Sequence, residues 1–173
     1  LGNPSIPAPK KVNESIKKIV DETDSIKLHG YSMAAGFDTA RDAVAKDLSN
    51  RFGLDVKGSE LFFTCGAAPA LVSIIKALTV NSDSEIMVVA PFVPEYLPFV
   101  TANGAKMVMV PADTEAFQIH LDEVEKRITA NTQGIIINSP NNPSGVVYTE
   151  ETLRGLAALL ERKSAEYGHP IYI

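Results

Sequence analysis

The sequence predicts an α/β protein with three layers, α/β/α, around a mostly parallel sheet. Two features carry that class. Short apolar runs alternate with helix-length segments at the spacing of βα units along most of the 173 residues. The apolar runs "EIMVVA" (85–90), "KMVMVP" (106–111) and "GIIINS" (134–139) are also continuous. Strands covered on both faces read that way, whereas half-solvated strands alternate.

The elements follow in chain order. Residues 1–9 are rich in proline and read as extended chain. Val12, Ile16, Ile19 and Val20 recur at helical spacing and predict a helix over 11–24. "YSMAAGF" (31–37) is a connection of mostly small residues. Asp38 or Thr39 is placed to cap a helix over 39–52, with Ala43, Val44, Leu48 and Phe52 as its buried face and Gly53 as its stop. "ELFFTC" (60–65) reads as a strand and "AAPALVSIIKALTV" as an apolar helix. "PEYLPFVTANG" predicts a helix ending at Gly104, with Pro98 accommodated near its start. "LDEVEKRIT" (121–129) is a short amphipathic helix. Thr149 caps a long helix to about Tyr167, with Glu150 and Glu151 in its first turn, and "IYI" opens another strand.

Composition removes several function classes. A net charge of −5 with scattered lysines and arginines offers no surface for a nucleic-acid backbone. No apolar run has the length of a membrane span. The single cysteine, Cys65, excludes an internal disulfide framework and fits a reducing, cytoplasmic compartment. The opening "LGNPSIPAPKK" lacks the order of a secretion signal, and with the closing "GHPIYI" it reads as the boundary of a piece from a longer protein.

Open parallel sheets bind ligands at the carboxyl ends of their strands, which selects three segments. "TCGAAPAL" (64–71) passes through Gly66 and small residues into a helix, a start suited to an anion. "APFVPEY" (90–96) sets Phe92 just past a strand end, where an aromatic can pack on a flat ring. "NSPNNPSG" (138–145) presents amides beside stiff prolines, and Asn142 can donate to an oxygen of a planar ligand. Taken singly, the first two read better as ordinary turns and packing. The third is more specific than a turn requires. Cys65 reads as a packed residue, and His29, His120 and His169 have no metal-ligand spacing.

Together these segments resemble class I/II aminotransferases, fold-type I enzymes that use pyridoxal phosphate (PLP). "NSPNNPSG" resembles the N-P-x-N-P-T-G segment of that family, "FTCGAAPAL" its phosphate loop and "APFVPEY" its ring-stacking loop. "LGNPSIPAP" and "YSMAAGFDTARDAVAKDLSNRFG" resemble its N-terminal L-G-x-P and Y-x-x-x-x-G segments. The five pieces stand in the family's order over essentially the whole chain.

The resemblance implies an incomplete PLP-transferase large domain. Residues 1–30 would form the N-terminal arm and helix, and 31–173 the first part of the cofactor-binding domain. The backbone N–H groups of Ala67 and Ala68 would hold the phosphate. Asn142 would donate to the O3′ oxygen of the ring, and Gly2 would lie near the substrate carboxylate, with Asn142 also facing the substrate. Tyr31 would reach across a homodimer interface to the neighbour's cofactor phosphate. Two departures stand out: Val93 occupies the usual aromatic stacking position, leaving Phe92 or the aliphatic itself to cover the ring, and Ala67 and Ala68 replace the Ser or Thr common in relatives.

No catalytic residue is nominated in this chain. The Schiff-base lysine, the Asp that pairs with the pyridinium nitrogen and the carboxylate-binding Arg are expected beyond Ile173, so the chain alone is expected to be inactive. The intact protein would move an amino group between an amino acid, of aspartate-like or aromatic type, and a 2-oxo acid. The same segments also suit a carbon–sulfur β-lyase or the PLP-sensing domain of a transcription regulator. A plain α/β domain without a ligand is the remaining alternative.

Overall fold

The chain from Cys65 to Ile173 folds as one unit, and the chain up to Thr64 as another; the structure, a computed structural model, describes residues 5–173.

In the second unit, β1 (Glu85–Val89) forms the middle of a three-stranded sheet, between β2 (Lys106–Val110) and β3 (Thr132–Ile136). Both pairings are parallel. Tyr172 adds a parallel bridge to Gly134 on the outer side of β3, so "IYI" does lie along the sheet. A Cβ on Gly134 would meet the carbonyl oxygen of Tyr172 at 2.9 Å, and only glycine lets the two chains run so close.

The connecting helices lie on both faces. Met87 and Val89 point into a core with α6 (Leu121–Arg127) and α7 (Glu150–Tyr167), through Val124, Leu156, Leu159 and Leu160. Ile86 points the other way, toward Ile75 of α4 (Ala67–Leu78) and Val100 of α5 (Tyr96–Thr101). Successive strand residues thus enter opposite cores, which is why the strand sequences had to be apolar throughout. The three-layer α/β/α architecture stands as the sequence predicts.

The helix ends follow local chemistry. The Thr149 side chain accepts the N–H of Thr152, and Glu150 and Glu151 occupy the first turn of α7. Pro98 falls within the first turn of α5, where its missing N–H costs no helical bond. Strand β2 departs from the prediction: it is an edge, Met109 is exposed, and only Val110 is fully buried. Strand β3 is shorter than the predicted 134–139 at its far end and starts two residues earlier, where Thr132 pairs with Glu85.

In the first unit, α1 (Lys10–Glu22) and α3 (Asp38–Phe52) form as predicted, and a short α2 (Ser25–His29) is added. The Asp24 carboxylate starts α2 by accepting the N–H groups of Ile26 and Lys27. Phe37, not Asp38 or Thr39, is the cap residue of α3, and no side chain caps that end. Asp38 instead pairs with Arg41, whose guanidinium also donates to the carbonyl of Gly58 at 2.9 Å. Within this unit Ala45 is the buried residue of α3, Leu48 is half-buried, and Ala43, Val44 and Phe52 are exposed. The stripe on α1 is likewise exposed at Val12, Ile16, Ile19 and Val20.

The predicted strand at 60–65 is not one. A 3-10 turn covers Gly58–Glu60, and the chain then runs extended, with Phe62 and Phe63 exposed. A strand needs a ladder, and this segment is not part of the described three-stranded sheet; its Phe63 N–H donates to the Ala35 carbonyl at 3.0 Å. High β-propensity without a neighbouring strand leaves extended chain.

Candidate active site

Two of the three strand-end segments meet at one hollow. Ala67, Ala68 and Leu71 of α4 line it from one side; Val93, Glu95, Tyr96 and Phe99 line it from the other. Its volume is about 300 Å³. The hollow is open, and Ala67 and Ala68 are exposed at the first turn of α4.

Gly66 shapes that helix start. It takes φ 102° and ψ −179°, a region that side chains on Cα nearly forbid. It supplies no side chain to cap the helix. The first N–H groups of an α-helix have no partner in the helix and point out from its end. Two alanines in a row keep that end low, so a group settling on it meets backbone before side chain.

The loop after β1 contains the cis peptides Ala90–Pro91 and, in the neighbouring segment, the loop after β3 contains Ser139–Pro140 and Asn142–Pro143. Val93 faces the hollow. Phe92 does not line it: its ring stacks on Tyr96, centroids 6.3 Å apart and planes within 12°. Tyr96 forms part of the wall, and Phe92 packs on its ring. Burial pushes the Tyr96 phenol up from its ordinary range, so it stays neutral.

The third segment is tied to the second. β1 and β3 are neighbours and parallel, so the loops that leave them start at the same sheet edge. The Asn141 amide donates to the Pro91 carbonyl at 2.9 Å and to Ser144 Oγ at 2.8 Å. Asn142 is exposed, and its backbone N–H donates to Asn138 Oδ1 at 2.8 Å. Further along, Gln118 holds the start of α7, accepting from the Thr149 N–H at 3.0 Å and donating to the Val147 carbonyl at 3.3 Å.

Of the residues singled out from sequence, Ala67, Ala68 and Val93 share the hollow, and Asn142 stands on the loop that Asn141 bonds to Pro91, two residues before Val93. Phe92 is not among the lining residues and stacks on Tyr96. Tyr31 belongs to the first unit and is fully exposed there. Gly2 lies outside the described residues. Sequence reasoning missed Tyr96, Leu71 and Phe99 as lining, and Asn141 and Gln118 as the bonds that hold the loops. Among the described residues, no three His, Cys, Asp or Glu side chains are grouped as a metal site.

Comparison with known proteins gives this arrangement a family. The model of aminotransferase class I and II matches residues 2–166. The chain belongs to the class I and II aminotransferase family. A probable aspartate aminotransferase of Methanocaldococcus jannaschii is 35% identical over 161 residues, 93% of this chain and 41% of that protein. The aspartate aminotransferase of Thermotoga maritima is 32% identical over 94% of this chain and 42% of its own length. The crystal structure of an aminotransferase from Eubacterium rectale superposes with a TM-score of 0.94 at 52% identity, covering 99% of this chain and 43% of that one. The chain spans about two-fifths of the length of these relatives.

Enzymes of this family depend on PLP, and the residues present fit that group. The low start of α4 at Gly66, Ala67 and Ala68 suits a phosphate. The adjoining wall of Val93 and Tyr96 is largely apolar, as a planar ring requires.

Proposed function

We propose that the intact protein is an aminotransferase that moves an amino group between an amino acid and a 2-oxo acid, and that this chain supplies its cofactor cradle. One observation carries this reading: two strand-end segments share one hollow, through Ala67, Ala68 and Val93, and Asn141 bonds the third, the Asn142 loop, to Pro91 two residues before Val93.

Each residue then has a task. The N–H groups of Ala67 and Ala68 bind phosphate oxygens, helped by the positive end of α4. Val93, not Phe92, covers the ring. The Asn142 amide donates to the ring oxygen O3′ and favours its deprotonated form. The hollow's apolar wall would cover one side of the ring. Bound PLP supplies the electron sink for chemistry at the α-carbon of the amino acid. The Schiff-base lysine, the aspartate for the ring nitrogen and the arginine for the substrate carboxylate are assigned to the remainder of the intact protein, which is why this chain positions and does not react.

The same reading makes the protein a cytoplasmic homodimer with shared active sites, in which Tyr31 reaches the partner's cofactor phosphate and Gly2 lies near the substrate carboxylate. Residues 1–30 would be the arm and helix, and 31–173 the start of the cofactor-binding domain. Two similar proteins are named aspartate aminotransferases, so aspartate is the first donor to test.

Purified intact protein should take up PLP with a visible absorption band and convert aspartate and 2-oxoglutarate to oxaloacetate and glutamate, or do so with another amino donor. Release of pyruvate and ammonia from a cysteine-type substrate, with no amino transfer, would replace the aminotransferase by a lyase. Absence of PLP binding would end both readings.

A further inference from the structure

Two adjacent asparagines in the 138–146 loop have opposite environments. Asn142 is exposed, whereas Asn141 is only 7% exposed. The primary amide of Asn141 has two N–H groups, and both are used. One donates to the Pro91 carbonyl at 2.9 Å, across 50 residues of sequence; the other donates to Ser144 Oγ at 2.8 Å. Its backbone closes the same loop: the N–H donates to the Val146 carbonyl at 2.8 Å, and its carbonyl accepts the Gly145 N–H at 2.7 Å.

Pro91 lies two residues before Val93, and Asn141 lies next to Asn142. The bond between Asn141 and Pro91 therefore joins the segment that walls the hollow to the segment that presents the exposed amide. No other side-chain bond of the 138–146 loop among the described residues reaches the loop after β1. We propose that Asn141 is a positioning residue: its amide fixes the place of Asn142 relative to Val93, and so the alignment of the ring oxygen's donor with the ring's cover. This rests on the aminotransferase reading. It needs two donors at one site, which aspartate cannot supply and alanine does not have.

The test uses the intact protein, titrated with PLP and followed through the visible band of the bound cofactor. Four variants are compared with wild type: Asn141→Ala, Asn141→Asp, Asn142→Ala, and the double change to alanine. Asn141→Asp keeps the side chain's size where alanine leaves a gap. Both single changes at 141 are expected to weaken PLP binding about tenfold, the scale of one or two lost hydrogen bonds. They should also raise the pH at which the bound cofactor's band titrates, in the same direction as Asn142→Ala, because a misplaced donor no longer favours the deprotonated ring oxygen. Adding Asn141→Ala to Asn142→Ala should move that pH little further. A purely structural asparagine would leave the titration in place. Unchanged affinity and titration in the Asn141 variants overturn the proposal, as does full additivity with Asn142→Ala. Failure of both Asn141 variants to fold overturns it too, since the amide is then a general stability element. If wild type takes up no PLP, the aminotransferase reading fails and this inference falls with it. Wild-type binding with insensitive Asn141 variants sinks the inference alone.

Discussion

Gly66 shows how a single backbone conformation sets the character of the hollow. Its φ of 102° with ψ −179° excludes side chains through the local backbone, since nothing lies within 4 Å of an added Cβ. Gly66→Ala is expected to destabilise the intact protein by about 1–3 kcal/mol. It should also weaken PLP binding more than tenfold by turning the first N–H groups of α4 away; urea unfolding and PLP titration read the two effects separately. Val93 and Phe92 make a second residue-scale test. Val93→Ala opens the wall and should weaken PLP binding several-fold, whereas Phe92→Ala should leave affinity within about threefold and lower the melting temperature instead, because Phe92 packs on Tyr96. An equal loss of affinity in both would mean that Phe92, too, faces the cofactor. The sequence offered both residues and could not choose, because one step along an irregular loop turns a side chain to the other side. Sequence reasoning named Asn142 and passed over Asn141: the same side chain, one position apart, one exposed and one buried.

At the scale of elements, helix ends were the most legible feature. Thr149 caps α7 as its position before Glu150 and Glu151 predicts, with the side chain accepting the Thr152 N–H at 3.1 Å. Thr149→Ala should cost about 1 kcal/mol in urea unfolding. Leu156, fully buried where α7 packs on the sheet, should cost about 2–5 kcal/mol as alanine. Acid should also loosen the second unit. Lys106, by hydrogen bond and charge, holds the Asp83 carboxyl below its usual range, and Lys126 and Arg127 do the same for Glu123. A carboxyl with a depressed folded-state pKa contributes stability above its unfolded value and loses it as pH falls through the folded one. Urea midpoints should therefore be flat from neutral pH to about 5 and fall below about 4. The decline should be gentle, because these pairs are exposed and screened, and 1 M salt should flatten it. Pattern misled at 60–65: "ELFFTC" has strand composition, but a strand is a relation between two segments, and propensity describes one.

At the scale of the whole molecule, the proposed function gives this chain the cofactor cradle and assigns the reacting groups to the remainder of the intact protein. It spans about two-fifths of its relatives. The 173-residue chain by itself should show no amino transfer with any donor; measurable turnover would remove the assignment of the reactive lysine to the remainder. An apolar groove of about 160 Å³ runs along α4 and the strand side of Tyr172, and Ile74, Tyr172 and Ile173 are exposed there. Contiguous exposed apolar surface favours association. The isolated chain should self-associate with rising concentration in sedimentation velocity, and aspartate at Ile74 should reduce that association.

By itself the sequence determined the layered α/β class, the parallel sense of the strands, most helix ends and the family, because each depends on local pattern or on motifs in fixed order. Buried strands must be apolar on both faces, and caps need particular side chains wherever they occur. Only the tertiary structure decided that Val93 lines the hollow while Phe92 stacks on Tyr96, that Asn141 ties two loops 50 residues apart, and that 60–65 runs as extended chain. Those outcomes depend on which groups lie across space, and a hydrogen bond or a packed ring is specified by both partners at once.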